Sequence, residues 1–245
     1  MTKIYGFRRF WDYMKTKEIN KILEFGATRV ELGVQNPNNQ IYREMKRGHS
    51  VRDVVESTRL LKDSGFKICY HMMPNLPGSS IEKDLKMFRK IFENTDFRPD
   101  MLKVYPTLVC KNSELENMWK RGEYEPYKNS ELVDLLCKIK KDLPSYVRIM
   151  RLQRDVPAKE IVAGCRFSNL RQMVQKEMKK RSWECKCIRC REAGHRKNHG
   201  KFKLKKMEYE ASGGKEFFLS YEDKEGTLAG MLRLRIPGNP FRKEL

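Results

Sequence analysis

No run of apolar residues in this 245-residue chain approaches the roughly 20 that a membrane-crossing helix requires, and the opening MTKIYGFRRFWDYMK has no apolar core of the secretory kind. These absences predict a cytoplasmic protein with no membrane partner. Acidic residues are scarce beside basic ones, 32 Asp and Glu against 52 Lys and Arg. The resulting net charge of +20 suits a polyanionic partner, with nucleic acid the first candidate. A disulfide framework is argued against in the same way. The seven cysteines are odd in number and scattered through a lysine-rich chain, which fits thiols and metal ligands instead.

The length allows one large α/β domain, or a medium domain with a small companion. The first two-thirds alternates β-branched runs with helical patterns. ATRVELGVQ (27–35), FKICYHMMP (66–74), DMLKVYP (100–106) and YVRIMRLQ (146–153) read as strands. Between them, helices are predicted to end at Gly26 and Gly65 and to open at Ser50 with Asp53, Ser79 with Glu82, Ser113 with Glu116, and Ser130. Strand–helix–strand order implies parallel pairing through right-handed crossovers, hence part of a sheet or barrel. Ligands in such folds sit at the carboxyl ends of the strands, here VQNPNNQ, HMMPNLPGSS, YPTLVCKNS and LQRDVP.

After residue 160 a basic helix, SNLRQMVQKEMKKR, leads into WECKCIRCREAGH. Three segments of period two then follow, separated by GG and KEG turns, and predict an antiparallel meander. Three strands without a covering helix make a poor independent domain. Cys185, Cys187 and Cys190 form C-x-C-x2-C, close enough to converge on one ion, with His195 as the candidate fourth ligand and His199 a weaker one. Structural zinc is the expected occupant and an iron–sulfur cluster its competitor. Cys69, Cys110, Cys137 and Cys165 stand singly and read as small hydrophobes.

Between Lys176 and Lys206 lie thirteen Lys or Arg against three Glu, a concentration suited to a phosphate backbone. A second patch, Arg148, Arg151 and Arg154, is expected at or beyond the carboxyl end of the fourth strand.

Several stretches together carry a resemblance: INKILEFGATRVELGVQ, KRGHSVRDVVESTRLLKDSGFKICYHMMPNLPGS, RPDMLKVYPTLV, MWKRGEYEPY, VRIMRLQRDVP, SNLRQMV and CKCIRCREAGH. They resemble the catalytic subunit of Elongator, a radical-SAM-type tRNA acetyltransferase acting on the wobble uridine. ASGGKEFFLSYED and LAGMLRLRIP resemble the opening strands of that family's GNAT-like acetyltransferase domain. The likeness runs from about Glu18 to the C-terminus.

The resemblance implies a partial radical-SAM-type (β/α) barrel over residues 1–165, a basic zinc-binding linker over 166–205 and the start of the GNAT-like domain over 206–245. It implies a 4Fe–4S cluster, S-adenosylmethionine and acetyl-CoA as cofactors beside zinc, and tRNA as partner, with other Elongator-type subunits or a polypeptide supplying further parts. Glu31 and Gln35 fall on the motif that approaches S-adenosylmethionine, His71 faces the mouth, and Cys185, Cys187 and Cys190 fall on the zinc linker. Arg148, Arg151, Arg154, Lys179, Lys180 and Arg181 fit a tRNA-facing groove. No catalytic residue is assigned. The sequence departs from the family at Arg9-Phe10-Trp11-Asp12-Tyr13, where the family has Arg-Pro-Asp-Tyr. Residues 1–35 hold no cysteine for the cluster loop, and no acetyl-CoA loop is visible, so the expectation is a chain inactive alone. The alternative is a tRNA-binding zinc module without catalysis.

Overall fold

The computed structural model describes residues 16–153, 156–195 and 200–242, so Arg154, His199 and the 9–13 motif lie outside the described residues. The elements in order are α1 (Thr16–Glu24), β1 (Arg29–Gln35), α2 (Asn39–Glu44), α3 (Val51–Asp63), β2 (Lys67–Met72), α4 (Ile81–Glu93), β3 (Met101–Val104), β4 (Val109–Cys110), α5 (Glu114–Lys120), α6 (Asn129–Asp142), β5 (Arg148–Leu152), β6 (Ile161–Ala163), α7 (Leu170–Lys180), α8 (Ile188–Arg191), β7 (Lys203–Ala211), β8 (Gly214–Glu222) and β9 (Leu228–Ile236).

The four predicted βα strands form one parallel sheet in the order β1-β2-β3-β5. Their carboxyl ends, Gln35, Met72, Val104 and Leu152, therefore share one edge. Ile68, Tyr70 and Met72 of β2 are fully buried, and the Tyr70 hydroxyl lies 2.6 Å from Thr58 Oγ1 on α3, which identifies the helix-facing side of the strand. By the period of two, Cys69 and His71 face the opposite side.

The helix starts follow local chemistry. Ser50 and Asp53 make the predicted capping box: the Ser50 amide donates to Asp53 Oδ2 at 2.7 Å, and the Asp53 amide returns the bond to Ser50 Oγ. Ser113 caps α5 as predicted. Elsewhere the reading shifts by one residue. Ser80, not Ser79, caps α4, because the Ser79 hydroxyl is taken up in donating to the buried Asp84 at 2.5 Å. The amide of Asn75 and the hydroxyl of Tyr127 also donate to Asp84. α6 begins at Asn129 rather than Ser130, with Glu131 accepting from the Lys128 amide. The two-stranded antiparallel β4–β6 ribbon was not foreseen, since two or three residues are too few to display an alternation.

The predicted meander is observed as the antiparallel sheet β7-β8-β9. Its first turn carries Ser212 and Gly213 at φ +49° and +73°, the left-handed pair that a two-residue hairpin demands. One face packs against the α/β layer through an ionic joint. Arg235 reaches Asp63 at 2.5 Å and Glu216 at 2.9 Å, Lys62 reaches Glu216 at 3.0 Å and Asp100 at 3.7 Å, and Arg233 reaches Asp100 at 3.1 Å. Tyr146 stacks on Tyr209 with ring centroids 4.0 Å apart. The end of α3 and the segment leading into β3 thus cover this face of the three strands.

Burial raises the Asp100 carboxyl pKa, but Lys62, Arg233 and the amide of Ile68 outweigh it and hold the group below its ordinary 3.8. A folded value below the unfolded one means that its contribution is complete above 3.8 and is lost as pH falls through the lowered value. Asp100→Ala leaves Lys62 and Arg233 short of a buried counter-charge and is expected to cost about 3–5 kcal/mol in urea unfolding at neutral pH. A loss below about 1 kcal/mol, the worth of an exposed pair, would show the joint to be energetically idle.

Candidate functional site

Three neighbouring strands each contribute one polar side chain to the face of the sheet turned away from the helices. Glu31 on β1 lies in register with Cys69, and His71 on β2 with Lys103 on β3. His71 Nε2 stands 2.6 Å from Glu31 Oε2, and the Lys103 ammonium donates to the same oxygen. Burial raises the Glu31 carboxyl pKa, but the bonds from His71 and Lys103 prevail and bring it down to about 2. Glu31 Oε1 is buried with no hydrogen-bond donor among the described residues, although the Arg29 guanidinium lies 3.4 Å away. His71 is not isolated, since its ring also meets Tyr105 edge-on at 5.6 Å.

Gln35 closes β1 in the left-handed region, at φ +58°, where the strand turns into its loop. It lies four residues beyond Glu31, about 13 Å at the rise of a strand. The two predicted cofactor residues therefore occupy different depths, Glu31 inside and Gln35 at the rim. Lys103, unassigned from sequence, does carry a legible signal: a lysine within the otherwise apolar MLKV strand.

Glu31, Cys69 and His71 present ligand atoms within 4.8 Å of one another. A cation is poorly served there, because Lys103 already neutralises the carboxylate and burial pushes the Cys69 thiol up to about 12.

The second constellation is the cysteine knuckle. The Sγ atoms of Cys185, Cys187 and Cys190 lie within 4.8 Å of one another, as the spacing predicted. Bonds from Cys185 and Cys190 depress the Cys187 thiol, while Cys185, bonded to the same neighbours, is raised. His195 is not brought to the cluster. Its side chain is 58% exposed and lies 3.6 Å from Glu192, in a short turn, and it is not among the ligand atoms within 4.8 Å of one another. On the other side, Lys140 of α6 donates to Cys190 Sγ at 3.5 Å.

The knuckle stands at the opposite edge of the sheet from Gln35. The Ile188 amide donates to the Val147 carbonyl at 2.9 Å, immediately before β5. This corrects the placement of Arg148: it is the first residue of β5, at the amino end, and its guanidinium is engaged by Glu192. Arg151 is exposed near the carboxyl end of the same strand. Lys179 and Lys180 are exposed at the end of α7, whereas Arg181 is held by Asp134 at 2.5 Å and Glu177 at 2.9 Å and lies over the Trp183 ring.

Since the Glu31 pKa is lowered, its ion pairs stabilise the fold above 4.5 and that contribution is lost as pH falls through about 2. Lys103→Met removes one of the two donors and is expected to move the Glu31 carboxyl upward in a ¹³C NMR titration. An unmoved titration would show that Lys103 does not hold the carboxylate.

The Radical SAM superfamily model matches residues 11–91, and the Radical_SAM C-terminal domain model matches residues 99–180. The tRNA uridine(34) acetyltransferase of Methanocaldococcus jannaschii is 53% identical over 242 residues, 96% of this chain and 45% of that protein. Elongator complex protein 3 of Homo sapiens is 42% identical over 241 residues, 96% of this chain and 44% of that protein. A solved structure of Methanocaldococcus infernus Elp3 with an N-terminal deletion superposes with a TM-score of 0.92 at 52% identity, covering 96% of this chain and 57% of that one. The chain spans somewhat less than half the length of these curated relatives. It belongs to the family of the tRNA uridine(34) acetyltransferases and Elongator complex protein 3, within the radical SAM superfamily.

Proposed function

We propose that this chain supplies the cofactor-facing part of the barrel, a structural zinc knuckle and an RNA-contacting surface to a cytoplasmic enzyme that transfers an acetyl-derived group to the wobble uridine of tRNA. The observation that carries the reading is the half-buried Glu31 carboxylate, held by His71 and Lys103 on Oε2 with only the Arg29 guanidinium 3.4 Å from Oε1, inside a parallel sheet in a chain that the Radical SAM superfamily model matches. Glu31 from the wall and Gln35 from the rim would hold S-adenosylmethionine, Glu31 accepting from its amino or hydroxyl groups. When bound, that cofactor supplies radical chemistry. Lys103 and His71 keep Glu31 ionised and oriented, so that the acceptor is fixed before the ligand arrives.

The three thiols fit a zinc ion better than the radical cluster. They sit at the amino edge of the sheet beside Val147, away from the carboxyl edge where ligands bind in such folds. No residue of this chain is assigned to the 4Fe–4S cluster or to acetyl-CoA, and no step is drawn through either. The RNA surface draws on Arg151, Lys179 and Lys180, with Arg154 beside them in sequence, and the charge excess from Lys176 to Lys206 favours an anionic backbone. Other Elongator-type subunits are a further proposed partner class, by family alone.

Two measurements test this. Anaerobically purified protein is expected to hold about one zinc per chain and no iron, as structural sites of this type do; iron and sulfide in its place would make the knuckle a cluster site. In fluorescence anisotropy with tRNA, the joint substitution Lys179→Ala and Lys180→Ala is expected to weaken binding and to flatten the slope of log affinity against log salt by roughly 2, about one per lysine. An unchanged slope would remove both lysines from the RNA surface.

A further inference from the structure

Lys140 is the one charged residue on the buried side of α6 that has no carboxylate among its described contacts. The helix buries Leu132, Leu135, Leu136 and Ile139, and Lys140 follows Leu136 by one turn, so its side chain enters the same apolar layer and is only 1% exposed. A lysine left there uncompensated would be costly. Its Nζ instead donates to Cys190 Sγ at 3.5 Å, across fifty residues of sequence and from a separate element.

The charge of the knuckle explains why a cation belongs there. Three thiolates around one divalent ion leave a net charge of −1, and a neutral fourth ligand does not change it. Cys187 is fully buried and its two neighbours half-buried, so this charge is held largely out of water, where it needs an opposite charge close by. Lys140 brings one positive charge and up to three N–H donors on a stem buried on the same helix as Leu132, Leu135 and Leu136.

We propose that Lys140 is the built-in counter-charge of the three-thiolate metal site, donating to the Cys190 thiolate from outside the coordination sphere and thereby setting the site's affinity for a thiophilic divalent ion. The proposal rests on the reading of the knuckle as a zinc site. Lys140 is a positioning residue here and no metal ligand. The same bond fastens the knuckle to α6, so metal loading and the packing of that helix are linked through one side chain.

The test uses the whole chain, zinc-loaded for affinity by competition with a chromogenic chelator, and cobalt(II)-loaded for absorption spectroscopy. Wild-type protein is expected to give the spectrum of tetrahedral cobalt bound by thiolates. Lys140→Met is expected to weaken zinc binding by about 10- to 100-fold, the usual effect of losing a hydrogen-bond partner of a metal ligand, while leaving the cobalt spectrum tetrahedral and rich in thiolate charge transfer. Lys140→Gln, which keeps a donor without the charge, is expected to fall between the two. It also carries the test if the methionine variant does not fold. Unchanged zinc affinity in Lys140→Gln and Lys140→Met would overturn the proposal, and so would a cobalt spectrum showing a lost ligand, since the amine would then coordinate directly. Wild-type protein that binds no zinc would instead bring down the zinc reading itself.

Discussion

The ionic joint between the α/β layer and the meander fixes everything else in place. Asp63, Asp100 and Glu216 supply three negative charges, and Lys62, Arg233 and Arg235 supply three positive ones, all buried or nearly so. Such a set adds little net stability over an apolar surface of the same shape, because desolvation offsets most of the attraction. Its force lies in the penalty for any other arrangement. A shift of β8 by one residue would move Glu216 off the interface and bring Phe217 in, leaving Lys62 and Arg235 without their shared carboxylate.

That constraint divides the molecule into two edges. The joint and the cysteine knuckle both close the amino ends of the parallel strands, and the carboxyl ends are left to form the mouth. Arg191 binds the amino edge together. Its Nη1 reaches Glu222 at 2.7 Å and the Gly226 carbonyl at 3.3 Å on the meander, its Nη2 the Ser145 carbonyl ahead of β5, and its Nε the Lys186 carbonyl inside the knuckle. One planar fork therefore holds three segments, which a lysine with its single nitrogen would not reproduce. Arg191 thus ties the knuckle to the amino edge, away from the mouth.

Much of this division was legible in the sequence. The βα alternation, the Ser50–Asp53 capping box, the meander with its GG turn and the convergence of Cys185, Cys187 and Cys190 all depend on residues near one another in the chain, and local spacing displays them. What stayed hidden depends on distance. Lys62 and Glu216 are 154 residues apart and Asp63 and Arg235 are 172 apart, so nothing in either neighbourhood marks the pairing. Arg148, expected at the carboxyl end of its strand, opens it instead, and its partner Glu192 lies 44 residues on, so nothing nearby marks the pairing. His195 has the spacing of a metal ligand, but among the described residues it lies in a short turn beside Glu192 and outside the group the three thiols form.

The charge of the chain acquires a sharper meaning once the pairs are known. Buried carboxylates such as Glu31, Asp63, Asp100, Glu216 and Glu222 are each answered by a buried or half-buried cation, so the interior draws on acids and bases in nearly equal number. Pairing of this kind takes acids away from a surface that already has too few. Among the described residues the excess of basic over acidic side chains therefore lies mostly toward solvent, which is where an RNA backbone would meet it. Lys140 is the exception that orders the rest, a buried cation answered by sulfur in place of carboxylate. In the proposed metal site, the charge of the thiolates around Cys190 is what this buried cation answers.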